Sequence, residues 1–235
     1  MPGGHPPTRR GCFAMAPFAG RLRDGRLTWG GVEHQLPRHA APHAIHGTAV
    51  DAAWTVVDRT STTVVLEHVL ADPWPFAGTV RQQLELSADG LEATLSLHAD
   101  EEQPVTLGLH PWFRRRIGRG GPVRLDLDPL QQYARGADGL PTGELVDPQP
   151  GPHDDCFLGV RRPPRLSWPG ALELVLSSSA DHWVVFDERP EVVCVEPQTG
   201  PPDAVHLGRA DAVPAGGELA LRVVLRWSRL PAEQV

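Results

Sequence analysis

Polar and apolar residues alternate with period two along most of this chain. Trp54-Thr-Val-Val and Thr63-Val-Val-Leu-Glu-His-Val-Leu read as strands. Thr79–Ser87 and Leu91–His98 alternate on either side of Ala88-Asp-Gly, which predicts a hairpin. Further strands are predicted at Val105–His110, Val123–Leu127, Leu172–Leu176, Trp183–Phe186, Val192–Glu196 and Leu219–Trp227. No long apolar stripe recurs at helical spacing. The 24 Gly and 25 Pro fall mostly between the alternating runs, as turn residues do. Many such strands with few helices imply antiparallel sheets packed face to face, so the expected fold is all-β, a large sandwich. No repeat or linker divides the chain. One domain is expected over 11–235, after a disordered tail at 1–10. Pro141–Pro152 reads as a long loop of the kind that carries function.

Two strands close in the same way. In Val105-Thr-Leu-Gly-Leu-His110-Pro, alternation puts Val105, Leu107 and Leu109 on a core face and Thr106, Gly108 and His110 on the other. In Val192-Val-Cys-Val-Glu196-Pro, Val192, Cys194 and Glu196 share a face. Pro111 and Pro197 have no N–H for a ladder, so both strands should stop there. His110 and Glu196 then stand at strand ends, facing away from an apolar row. An imidazole and a carboxylate so placed suit general acid and base work, and Gly108 leaves room for a ligand. A hydrogen-bonded rim His and a solvated Glu are the structural alternative.

Composition removes several other chemistries. All 22 basic residues are Arg and none is Lys. That excludes a Schiff-base lysine and a Walker A loop. Without Asn there is no N-glycosylation acceptor. The net charge of −7 argues against a nucleic-acid partner, and no basic amphipathic stretch suggests a membrane surface. A small neutral or cationic ligand, or a protein partner, remains. Cys12, Cys156 and Cys194 are too few and too scattered for a disulfide framework, which fits a cytoplasmic location. Arg9-Arg10 precedes an uncharged run too short for an export signal. His39, His43 and His46 crowd one segment, but it lacks Cys and Pro42 breaks any helix that would align them. No metal and no cofactor are expected.

Five segments, in order, resemble the aldose 1-epimerase (galactose mutarotase) family. They are Pro17-Phe-Ala-Gly-Arg21 with the strand after it, Pro42-His-Ala-Ile-His46-Gly47 with Trp54, Gly108-Leu-His110-Pro-Trp112-Phe113, His153-Asp154-Asp155-Cys-Phe157, and Val195-Glu196-Pro-Gln-Thr-Gly-Pro-Pro-Asp-Ala204. The resemblance runs from about residue 11 to the C-terminus. It implies a galactose mutarotase-like sandwich that interconverts sugar anomers. Members usually carry several strands before the Pro-Phe…Arg turn. Met1–Arg10 cannot form them, so the sandwich is expected to lack its usual N-terminal strands.

Carried over by position, His110 is implied as the acid and Glu196 as the base. Arg21, His46 and Asp154 are implied as ligands of sugar hydroxyls, with Asp155 a close competitor of Asp154, and Trp112 as a wall of the pocket. A carboxylate near His110 is expected to raise its pKa. Three departures affect the choice of sugar. Gly20 replaces a common Asn, Trp112 a common Tyr, and Val184 falls where an amide ligand is expected. Two other activities fit the same segments: a hexose-6-phosphate epimerase, using Arg23 or Arg114–Arg116 as a clamp, and a non-catalytic carbohydrate-binding module.

Overall fold

The computed structural model describes residues 11–231, so the tail expected at 1–10 lies outside the described residues. Two antiparallel sheets dominate. The seven-stranded sheet runs β1 (Cys12–Met15), β11 (Gly108–Arg114), β19 (Val192–Gln198), β18 (His182–Phe186), β15 (Asp154–Val160), β13 (Pro129–Arg135), β14 (Pro141–Val146). The eight-stranded sheet runs β12 (Arg124–Asp126), β16 (Arg165–Trp168), β17 (Leu172–Ser178), β21 (Glu218–Arg229), β9 (Gly90–Ala99), β8 (Gly78–Leu86), β7 (Thr63–Val69), β6 (Thr55–Arg59). Three two-stranded pairs complete the fold: β2 (Arg21–Leu22) with β5 (Ala44–Ile45), β3 (Arg26–Trp29) with β4 (Val32–Gln35), and β10 (Gln103–Val105) with β20 (Asp211–Val213). The architecture is the all-β sandwich that the alternation implies. No helix among the described residues is long and apolar enough to cross a membrane.

Alternation decides which face of the seven-stranded sheet meets the other sheet. Leu109, Val193, Val195, Trp183, Val185 and Phe157 point inward. They pack on Leu95, Leu97, Leu166, Trp168, Leu174, Leu176, Leu221 and Val223 of the eight-stranded sheet. Each such side chain taken out of water stabilises the fold by about 1.5–3 kcal/mol. Val105, Leu107 and Leu109 are buried in this core, as predicted. On the opposite face His110 lines the site, but Thr106 and Gly108 do not: the Thr106 hydroxyl accepts the Ala19 N–H (2.9 Å), and the space beside Gly108, expected to admit a ligand, is filled by the Met15 side chain, 2.5 Å from where a Cβ would stand.

Three predicted features come out differently. The strand expected at Val105–His110 is broken between β10 and β11. At the break Thr106 N–H bonds Pro17 O (3.0 Å) and Leu107 N–H bonds the Thr199 hydroxyl (2.9 Å), so the chain leaves one pairing and enters another. Neither Pro111 nor Pro197 ends its strand. Pro111 sits opposite Cys12 and Pro197 opposite Trp183, and both strands continue to Arg114 and Gln198. The supposed loop from Pro141 starts with strand β14, where Pro occupies the first position that a strand tolerates. The 79–98 hairpin forms as predicted, but Gly90 is not in the left-handed region. Its missing side chain admits Leu225 O and the Arg226 guanidinium, each within 2.8 Å of where a Cβ would stand.

Candidate active site

The register of β11 on β19 sets His110 against Glu196. Gly108 pairs with Gln198 and Trp112 with Cys194. Two residues inward from either pair, His110 lies across from Glu196 on the same face. No paired residues are found between those two flanking pairs, which is the stretch where Pro111 and Pro197 withhold their N–H groups. His110 Nε2 is 3.1 Å from Glu196 Oε1, and both side chains are buried. Phe13, opposite His110 on β1, packs on one side of the imidazole at 4.6 Å between ring centroids. Trp112 stacks on it at 5.2 Å, with 9° between the planes. The pair is thus set by sheet geometry, and the imidazole is packed against two aromatic rings.

Burial governs the charge of this pair. It lowers the His110 pKa to about 3. It also raises Glu196 well above the ordinary carboxylate range, helped by nearby Asp154 and opposed by Arg21 and by a Gln198 hydrogen bond. This corrects the expectation of a raised His110: the cost of holding a charge in this dry position outweighs the attraction of the carboxylate. Burial therefore favours a neutral pair with one proton, held on Glu196.

The other implied ligands surround the pair. The β2–β5 pairing, Arg21 against Ile45, brings Arg21 next to His46. His46 adopts a left-handed backbone (φ 64°), donates its N–H to Gly20 O (2.8 Å) and meets the His110 ring edge-on at 5.0 Å. Burial holds its pKa well below 6.5, with nearby His110 and Arg21 adding to the effect. Arg21 Nη2 bonds Asp154 Oδ2 at 3.0 Å. Asp154 starts β15 rather than lying in a loop, on the same face as Cys156. Asp155 is engaged by His153 Nδ1 (3.1 Å) and Arg135 Nε (3.5 Å). Asp154 is therefore the residue joined to Arg21. Val184 sits directly across from Glu196.

These side chains line one cavity of about 570 Å³, within the usual range for small-molecule sites. Its walls include Arg21, His46, His110, Trp112, Asp154 and Glu196. None of Arg23, Arg114, Arg115 or Arg116 lines it. Arg23 binds Asp138 and Asp203, and Arg115 binds backbone carbonyls of Asp187 and Arg189. His39, His43 and His46 do not converge, and the His43 ring accepts the Asp24 N–H (3.1 Å). Among the described residues one set of three metal-capable side chains is found: His110, Cys194 and Glu196, with ligand atoms within 4.8 Å of one another.

The family model for aldose 1-epimerases matches residues 7–205. The chain belongs to that family. An uncharacterised Escherichia coli protein, YphB, is 33% identical over 112 residues, 45% of this chain. The matched stretch spans 38% of that protein's length. Two solved structures share the fold. A candidate aldose 1-epimerase from Escherichia coli superposes with a TM-score of 0.83 at 22% identity, covering 96% of this chain and 86% of that one. A galactose mutarotase-like protein from Clostridium acetobutylicum gives 0.83 at 18% identity, with 95% and 81% covered.

Several wall residues of this family member escape a reading of the sequence. Gln198 is fully buried, and its amide nitrogen lies 3.4 Å from Glu196 Oε2. Its signal was available, since it stands two residues beyond Glu196 and so shares its face. Tyr133, Arg135 and Arg189 reach the cavity from distant segments, and no local pattern marks them. His46 Nδ1, His110 Nδ1, Trp112 Nε1 and Gln198 Oε1 are buried without a hydrogen-bond partner in the protein. Groups of this kind are costly unless a ligand or water completes them.

Proposed function

We propose that the protein is an isomerase, an aldose 1-epimerase that interconverts the α and β anomers of an aldohexose by acid–base ring opening. The observation that carries this reading is the buried His110–Glu196 contact at 3.1 Å on a cavity wall. The C1 hydroxyl donates a hydrogen bond to Glu196, which stabilises the carboxylate form. The single proton of the pair moves to His110 across their contact. Glu196 then takes the C1 proton while His110 delivers its own to the ring oxygen, and the hemiacetal opens. Rotation about C1–C2 exposes the other face of the aldehyde, and the same two transfers reversed close the ring. Each positioned transfer is worth about 10²–10⁴-fold, and the chemistry requires no cofactor. Arg21, His46 and Asp154 bind hydroxyls, and Trp112 walls the ring. The orphaned buried polar atoms support a hydroxyl-rich ligand, which both donates and accepts.

The test is polarimetry or NMR of fresh α-D-glucose, α-D-galactose and glucose 6-phosphate. Turnover of a free hexose is expected. Glu196→Gln should lose nearly all of it while the sugar Kd changes little, because an amide accepts a proton poorly. His110→Ala should lose about two orders of magnitude or more. A fully active Glu196→Gln protein overturns the mechanism, and a wild type at the solvent rate leaves a binding module instead. A hundredfold preference, in rough terms, for the phosphorylated sugar would move the substrate to hexose phosphates.

A further inference from the structure

We propose that His110, Cys194 and Glu196 form a binding site for a thiophilic divalent cation, Zn2+ in particular, whose occupancy blocks the acid–base pair. The blocking part rests on the reading above, and the binding part does not. The geometry of two neighbouring strands supports it. Cys194 and Glu196 are two residues apart on β19 and share a face. His110 is brought across from Glu196 by the register of β11. The three offer a nitrogen, a sulfur and an oxygen, all within 4.8 Å of one another.

The spacing suits zinc. With Zn–N and Zn–O near 2.0–2.1 Å, the edge of a tetrahedron between those ligands is about 3.3 Å. His110 Nε2 and Glu196 Oε1 are already 3.1 Å apart. With Zn–S near 2.3 Å, the edges to sulfur are about 3.6 Å, so the thiol has little more than about 1 Å to close. One thiolate, one carboxylate and one neutral imidazole balance the cation, so the occupied site adds no net charge to a dry position. On binding, the thiol releases its proton to solvent, and so does the His–Glu pair. A thiolate in the set selects zinc over magnesium or calcium. Of the three, His110 and Glu196 line the cavity and Cys194 does not.

Access for a cation is past His110 and Glu196, the two of the three that line the cavity. Trp112 and Phe186 pair with Cys194 from its two neighbouring strands, and their rings meet at 6.0 Å. Cys194 is fully buried beside them. The site also lacks an outer shell on its imidazole, since His110 Nδ1 has no acceptor. Metal-binding histidines usually have one, and its loss weakens affinity about 10–100-fold. The cation is therefore a reversible blocker and not a resident cofactor.

Co2+ provides a direct probe, because a thiolate ligand gives a near-ultraviolet charge-transfer band. We expect the full chain to develop that band with one Co2+ per molecule, to lose it on adding Zn2+, and to ignore Mg2+. Cys194→Ser should lose the band, whereas Cys12→Ser and Cys156→Ser should keep it. Zn2+ should slow wild-type sugar turnover about tenfold or more, reversibly with EDTA, and much less in Cys194→Ser, each against its own zinc-free rate. Should Cys194→Ser fold poorly, Cys194→Ala replaces it and the wild-type spectrum still decides. No band in the wild type, or a band that survives loss of Cys194, overturns the site. A band in a protein without turnover keeps the site and removes the acid–base reading. Full activity without a band does the reverse.

Discussion

Trp112 carries two separable features, a ring stacked on His110 and an indole N–H buried without an acceptor. Trp112→Phe keeps a stacking ring and deletes the donor. Removing an unpaired buried donor should not lower stability, while a bound hydroxyl would lose a hydrogen bond worth about 1 kcal/mol. The expected result is a KM for the sugar raised about fivefold at constant kcat, with an unchanged melting temperature. A drop in kcat alone would instead assign the indole to the transition state. Gly47 is a different case. Its φ is +77°, and a Cβ there would collide with the backbone carbonyl of Ala16. Gly47→Ala should cost about 2 kcal/mol or more, read as a fall in urea midpoint, and should disturb the adjoining His46. At this scale the sequence was informative where chemistry and alternation coincide. His110 and Glu196 stood out as ionisable residues before prolines, and both are in the site. The reason offered was incorrect, since the prolines thin the ladder between the two strands and do not end them. Tyr133 and Arg135 were invisible because nothing in Pro129-Leu-Gln-Gln-Tyr133-Ala-Arg135 alternates.

The short β2–β5 element has only two residues per strand, so something else must hold it. Asp203 does so. It is buried and left-handed (φ 63°), and its N–H donates to Arg21 O at 2.7 Å. Its carboxylate accepts from the Arg23 N–H (2.9 Å), from Arg23 Nε (3.1 Å) and from His206 Nδ1 (2.7 Å). Asp203→Ala would strand these donors, at a cost of about 3–5 kcal/mol. It should also raise KM by loosening the turn that presents Arg21. Asp203→Asn keeps the shape and should recover most of the stability. Equal loss of kcat and no change in KM would contradict this positioning role. Elements with clean period-two patterns, such as β8, β9 and β21, were legible in advance. β13, β14 and the break between β10 and β11 were not, because their positions depend on which distant strand supplies partners.

Across the whole molecule, buried titratable groups couple folding to pH. His46, His110 and His182 all have pKa values lowered by burial from 6.5. The unfolded chain takes up protons there below about pH 6.5 and the folded one does not, so stability falls as pH drops through that range. Glu196 acts in the opposite sense. Its pKa is raised from 4.5 by burial, so the unfolded chain releases a proton above that value that the folded chain keeps, and stability falls as pH rises towards the folded pKa. Three histidines outweigh one carboxyl between these limits. The urea midpoint should therefore peak near about pH 6–7, with a steeper acid side. Glu196→Gln should flatten the alkaline side and steepen the acid side above about pH 4.5, and an unchanged alkaline slope would mean that Glu196 is ionised in the folded protein. The two faces of the seven-stranded sheet have a consequence for how this lineage can change. On β11 and β19 one set of alternate residues packs the sandwich and the other lines the cavity. A substitution on these strands alters one set and leaves its neighbours in place. A single-codon deletion exchanges the two sets and sends His110 or Glu196 into the core. New ligand preferences can therefore be inherited through point mutation along these strands, and insertion or deletion is closed to them.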